Sequence, residues 1–189
     1  MPDVIVQRAS SLSHLASQSR AVPAAELVLL PESVRMAFRG RGHSIQIAGG
    51  VFGVDLPQTA CRMNCAGSRS AFWLGPDEWL LQESGESAAN LYARLSAALD
   101  DCSHSLVDVS DRSETFSISG VQSEYILNHG CALDLSIERF PVGSCTRTLI
   151  GKAAVILSRP DTFVFHIDVW RSFAPYTWQL LDEARSELA

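Results

Sequence analysis

A chain of 189 residues, 47% hydrophobic and 19% charged, is long enough to bury its own core, and a globule of this size removes roughly 70% of its unfolded surface from water. A net charge of −6 and the lack of a dense Lys/Arg cluster argue against nucleic-acid and anionic-membrane partners, and the apolar runs are too short to cross a bilayer. Five cysteines, Cys61, Cys65, Cys102, Cys131 and Cys145, are an odd number in a chain whose first twenty residues carry no apolar signal-peptide core, so buried free thiols in a reducing cytoplasm are expected.

Residues 1–25 are rich in Ser, Ala and Gln and show no hydrophobic period beyond Val4 to Val6. They read as an N-terminal arm that orders against partners, with residues 26–189 forming one domain. Residues 27–30, 33–38 and 44–47 read as strands, punctuated by Pro31 and a turn at Gly40-Arg41-Gly42. Gly49 and Gly50 then predict a turn into a short helix bounded by Pro57. They do not form a phosphate-cradling loop, because the lysine and hydroxyl of that motif and the dinucleotide glycine spacing are missing. A strand is expected over 59–64, and a hairpin over 71–74 and 78–82 around Gly75-Pro76-Asp77. The helix that follows takes Ser87 as its cap and buries Ala88, Leu91, Leu95 and Ala98 or Leu99.

In the second half, 107–110 is a short strand. Residues 115–119 form another, with Phe116 and Ile118 on a buried face and Thr115, Ser117 and Ser119 on a solvated one. Residues 121–129 read as a helix stopped at Gly130. A turn at 140–143, strands at 145–149 and 153–157 joined through Gly151-Lys152, a turn at Arg159-Pro160-Asp161 and a strand at 163–169 follow. The last helix has Ser172 as N-cap, Pro175 in its first turn and an apolar stripe of Tyr176, Leu180, Leu181, Ala184 and Leu188. Two pseudo-repeated halves, about 26–101 and 102–189, are suggested by an aromatic strand before each long helix: the same spacing separates Phe72 from Phe163 and Trp79 from Trp170.

No catalytic, cofactor-binding or metal-binding residue is assigned. There is no Gly-x-Ser-x-Gly elbow and no known local signature around a cysteine. Cys61 and Cys65 have a spacing a metal can use, but a structural zinc needs about four ligands and no second pair matches. His166 reads as a structural histidine, and His129 suits the negative end of its helix. Asp77 and Glu78 lie beside tryptophans, where desolvation would raise a pKa for acid–base work, against which stands their place at a hairpin tip. Asp108 and Asp111 are expected to bond their own backbone, and Arg35, Arg39, Arg41 and His43 to line a solvated strand edge. Trp73, Trp79, Trp170 and Trp178 supply buried area, in the core or at an interface.

Several short runs, taken in order, carry a resemblance. Phe72 to Leu81, Val109-Ser110-Asp111-Arg112, Ser119-Gly120, Leu133-Asp134-Leu135, Phe140-Pro141-Val142-Gly143, Thr146-Arg147-Thr148 and Arg171-Ser172 are similar to the gamma subunit of bacterial heterotetrameric sarcosine oxidase, and the similarity covers most of residues 24–188 and fades in the first twenty or so. The resemblance implies an α+β fold: two similar β-rich subdomains with helices packed on mostly antiparallel sheets, like the folate-binding part of glycine-cleavage aminomethyltransferases. It also implies a non-catalytic, structural chain in a complex that demethylates sarcosine to glycine with H2O2 and formaldehyde or 5,10-methylenetetrahydrofolate. The partners would be the alpha, beta and delta subunits. FAD, FMN, NAD and zinc would belong to those subunits and no cofactor to this chain. The alternative is a free-standing folate-binding protein of one-carbon transfer, weakened by the short chain and by the lack of an Asn-Asp pair like that of the aminomethyltransferases. An interaction module unrelated to folate or sarcosine is a third class.

Overall fold

The computed structural model describes residues 9–188; the Val4 to Val6 run lies outside them. After a short helix α1 (Ser13–Gln18), the first half runs β1 (Glu26–Leu29), β2 (Val34–Gly40), α2 (His43–Phe52), β3 (Met63–Ala66), β4 (Arg69–Gly75), β5 (Glu78–Glu83) and α3 (Ala88–Ala98). The second half repeats this order as β6 (His104–Asp108), β7 (Ser113–Ser119), α4 (Ser123–Asn128), β8 (Ser144–Ile150), β9 (Ala153–Asp161), β10 (Val164–Trp170) and α5 (Ala174–Ser186). Two five-stranded sheets result: sheet I in the order β1-β7-β10-β9-β8, and sheet II in the order β3-β4-β5-β2-β6. Every strand pair is antiparallel.

The first strand of each half crosses over. β1 pairs with β7 at the edge of sheet I, and β6 pairs with β2 at the edge of sheet II. Neither half therefore completes its own sheet. The opposite edges meet through the Arg62–Ser144 bridge and the Cys145 N–H bond to the Cys61 carbonyl, 2.9 Å.

Packing follows the strand period. Phe116, Ile118, Phe165, Ile167 and Val169 face one way from sheet I and are sealed by α4 and α5, with Trp178 and Leu181 in the same cluster. Met36, Phe38, Trp79 and Leu81 do the same from sheet II against Leu91 and Leu95 of α3 and Phe52 of α2. The other faces of the two sheets meet across a smaller cluster of Met63, Phe72, Leu80, Cys145 and Ile156. The result is a helix–sheet–sheet–helix sandwich, the α+β architecture expected above.

Several local expectations are corrected. Residues 44–47 belong to helix α2, whose buried face is Ser44, Ala48, Gly49 and Phe52; a four-residue alternation is too short to separate the two periods. Gly49 and Gly50 lie inside that helix, and Gly53, at φ +82°, ends it with its N–H on the Gly49 carbonyl. A side chain at Gly49 would lie 3.2 Å from the Val54 carbonyl oxygen, so glycine lets the chain double back over the helix end. β9 runs through Arg159-Pro160-Asp161, which is not a turn; Pro160 sits beside the register shift between β9 and β10, where the ladder is already irregular. Ser172 does not cap α5. Phe173 holds that position without a side-chain bond, and the buried face is Ala174, Thr177, Trp178, Leu181, Ala184 and Arg185. The equal aromatic spacings join inequivalent places: Phe72 is in β4 whereas Phe163 is in the β9–β10 turn, and Trp79 is buried whereas Trp170 is exposed.

The described part of the N-terminal segment is tied down at several points. Leu12 is fully buried in the outer core of sheet I. Glu114 accepts bonds from Ser10 Oγ and from the N–H and hydroxyl of Ser11, and buried Arg185 bonds the Arg20 and Ala25 carbonyls.

Candidate functional site

The inner faces of the sheets hold one cluster of charged groups. One rung of sheet I reads Arg147, Ile156, Asp168 and Thr115 across β8, β9, β10 and β7. Sheet II covers it. Arg35 of β2 donates from Nε to Asp168 at 2.7 Å and from Nη2 to Thr115 Oγ1 at 2.6 Å, while Nη1 holds the Ser33 carbonyl at 2.9 Å. Arg35 is thus buried, not part of a solvated edge; only Arg39, Arg41 and His43 of that stretch are exposed. Thr115 and Ser117 are buried too, because β7 is an inner strand with helices on one face and sheet II across from the other.

Glu78, at the tip of the β4–β5 hairpin, takes bonds from Arg147 and Arg39. The Arg147 guanidinium, with Arg39 behind it, holds the Glu78 carboxyl below its ordinary range, opposite to the upward shift that acid–base work would need. Asp77 pairs with Arg41 at 2.9 Å, and Asp108 accepts the N–H of Ser110 at 2.9 Å as a local turn, as its sequence setting suggests.

The next inward-facing rung of sheet I is Leu149 opposite Ala154, and Trp170 opposite Ser113. Sheet II leaves it open to solvent: Leu149 is 55% and Trp170 53% exposed. Ala154, between them on β9, is exposed and small. A cleft of about 290 Å³ lies here, with Arg112 and Arg147 at its flanks and Ile156 and Asp168 in its floor. Of the four tryptophans only Trp170 is exposed at the surface. Trp79 is buried with its Nε1 on the Pro57 carbonyl at 2.7 Å, Trp73 is its cross-strand partner, and Trp178 lies in the outer core.

A second exposed apolar region lies on the far side of sheet I. It comprises Val121 at 69%, Tyr125 at 53% and Phe163 at 49% exposure, the last joined to this helix end by the Gly120 N–H on its carbonyl. His129 lies edge-on to Tyr125 with ring centroids 4.8 Å apart. Beneath this region sits the fully buried guanidinium of Arg159. It bonds the carbonyls of Leu135 at 2.7 Å, Phe140 at 3.1 Å and Thr162 at 3.1 Å and the Glu124 carboxylate at 2.6 Å, above the Phe165 ring.

The cysteines divide. Cys131 and Cys145 are buried, and burial pushes the Cys145 thiol up to about 12, which makes it inert as a nucleophile. Cys61 and Cys65 are exposed, against the expectation of buried thiols, since both lie at the β3 margin of sheet II. Among the described residues no His, Cys, Asp or Glu group of three or more is placed to hold a metal. Among those residues no helix is long and apolar enough to cross a membrane.

His166 projects from β10 beside Ser117 and Ser158, and burial depresses its pKa below the ordinary 6.5. A histidine kept neutral by the fold adds stability above 6.5 that is lost as pH falls through the folded value, because the unfolded chain then binds the extra proton. His166→Gln is expected to flatten the fall in the urea midpoint between about pH 7 and 5.5, and an unchanged slope would refute this.

The sarcosine oxidase, gamma subunit family model matches residues 43–187. The chain is 30% identical over 191 aligned positions to sarcosine oxidase subunit gamma of Corynebacterium sp. (strain P-1), covering 96% of this chain and 92% of that one. It is 27% identical to the subunit gamma of an Arthrobacter species, over 96% of this chain and 92% of that one. Its fold superposes with a TM-score of 0.88 and 25% identity on a chain of heterotetrameric sarcosine oxidase from Corynebacterium sp. U-96, covering 96% of each. A glycine cleavage system aminomethyltransferase T from Bartonella henselae shares the fold at TM-score 0.64 and 14% identity, covering 88% of this chain but 47% of that one. With most of its length inside the family's pattern, the chain belongs to the sarcosine oxidase gamma subunit family.

Proposed function

We propose that this chain is the non-catalytic gamma subunit of a heterotetrameric sarcosine oxidase, stabilising and positioning the alpha and beta subunits, with the delta subunit completing the complex. The observation that carries the reading is the match, over 96% of both chains, to one chain of a heterotetramer. The exposed rung of Leu149 and Trp170 supports it, since large apolar side chains on an open sheet face suit a partner surface. In this reading the complex works in the cytoplasm and converts sarcosine to glycine with H2O2 and formaldehyde or 5,10-methylenetetrahydrofolate. FAD, FMN, NAD and zinc belong to the other subunits.

Co-expression of the other subunits with and without this chain tests the proposal. Loss of assembled, active oxidase without it is the expected result, and unchanged yield and turnover would overturn the reading. The likeness to aminomethyltransferase T favours a second reading, a folate-binding protein that acts alone. Saturable binding of tetrahydrofolate by the purified chain in calorimetry would support that reading.

A further inference from the structure

We infer that the open rung of sheet I, from Leu149 across Ala154 to Trp170, seats an acidic, partly apolar segment of a partner subunit; this rests on the subunit reading above. Leu149 stands on β8, Ala154 on β9 and Trp170 on β10, so the two large side chains rise about 10 Å apart with a methyl group between them. The cleft there is lined by Ala154 and Trp170, with Leu149 on the next strand at its margin, and offers a socket with room for one apolar side chain.

Charge selects the occupant. The cleft is lined by the guanidiniums of Arg112 and Arg147 against the Asp168 carboxylate, with Glu78 and Arg39 beyond Arg147 and Arg35 buried behind Asp168. Glu78 is shared by two arginines and Asp168 is satisfied by Arg35. Arg112 has no carboxylate partner among the described residues, and its neighbour Asp111 is already engaged. A positive margin on a chain of net charge −6 is a local feature, complementary to carboxylates on a docking segment. Arg112 precedes β7 and Arg147 lies on β8, three strand spacings or about 14 Å apart. Four residues of extended chain span a similar length, so a segment with two acidic residues about four apart and an apolar residue between them engages both arginines and the socket. A single small carboxylate reaches one arginine and leaves the apolar walls wet.

The test uses the co-expressed complex and the purified chain titrated with the remaining subunits. Ala154→Trp fills the socket from an exposed position, and Arg112→Glu reverses the free charge. Each is expected to weaken association about tenfold or more, with Arg112→Glu also reducing the salt dependence, while the thermal midpoint of the isolated chain stays unchanged. Leu149→Ser serves as a third variant should Ala154→Trp perturb folding. Wild-type association in all three variants, when the native chain does bind the other subunits, would overturn the inference and leave the subunit reading standing. Failure of the native chain to bind those subunits would overturn both. Tetrahydrofolate binding abolished by Ala154→Trp with assembly intact, or a homodimer dissolved by that change, would assign the rung to another occupant and overturn the inference.

Discussion

Arg35→Met is expected to destabilise the isolated chain by about 3–5 kcal/mol, because it strands the buried Asp168 carboxylate without its counter-charge. The side chain of Arg35 is 3% and that of Asp168 10% exposed, so water replaces only part of the missing bonds. The pair also joins the sheets: Arg35 is on β2 of sheet II, and Asp168 and Thr115 are on β10 and β7 of sheet I. A loss of that size lowers the midpoint of a chain this long by about 6–20 °C. Urea unfolding with the slope held constant measures it. The double variant Arg35→Met with Asp168→Leu should recover much of the loss, since a buried pair replaced by apolar groups of similar volume is often neutral. A single-variant effect below about 1 kcal/mol would show that the pair does not hold the sheets together.

Arg159→Leu is expected to cost a similar amount, about 3–5 kcal/mol, by a different route. One guanidinium bonds the Leu135, Phe140 and Thr162 carbonyls and the Glu124 carboxylate, so it fastens the segment after α4, the β9–β10 turn and α4 itself to one point. Leucine fills the volume over Phe165 but leaves buried carbonyls without donors. Arg159→Lys should rescue little, because an ammonium cannot reproduce the planar fork. Alongside thermal unfolding, limited proteolysis should show faster cleavage within residues 131–143. Stability within about 1 kcal/mol of the native chain in Arg159→Lys would refute the multi-bond account.

Both arginines show where reading the sequence stops. Arg35 sits among Arg39, Arg41 and His43, and nothing in that run separates the one buried member from its exposed neighbours. Beyond the local Ser33 carbonyl, its acceptors Asp168 and Thr115 lie on strands far along the chain, so its burial depends on how the sheets stack. Arg159 precedes Pro160 and Asp161, a combination that reads locally as a turn, yet β9 continues because the ladder with β8 and the buried bonds of the arginine outweigh local preference. Residues 44–47 failed as a strand for a related reason: over four residues the two periods coincide, and packing of Phe52 and Ala48 settled the matter. The exposed rung of Leu149, Ala154 and Trp170 comes from three consecutive strands, and which of their faces stays uncovered depends on where sheet II lies.

Several local signals were legible. Ser87 caps α3 by accepting the Asn90 N–H, Leu91 and Leu95 are buried as their spacing requires, and the Gly75-Pro76-Asp77 turn joins Trp73 to Trp79 across one hairpin. The order of short motifs was enough for the family, and one of them records a backbone requirement: Gly120 has φ +123°, and a side chain there would lie 2.5 Å from the Ala24 carbonyl oxygen. By itself, then, the sequence determined most of the strands, the Ser87 cap, the Gly75-Pro76-Asp77 turn and the family. The exchange of β1 and β6 between sheets, the burial of Arg35 and Arg159 and the open rung were decided only by the tertiary structure, because each depends on which distant strands become neighbours and which face of a sheet stays uncovered.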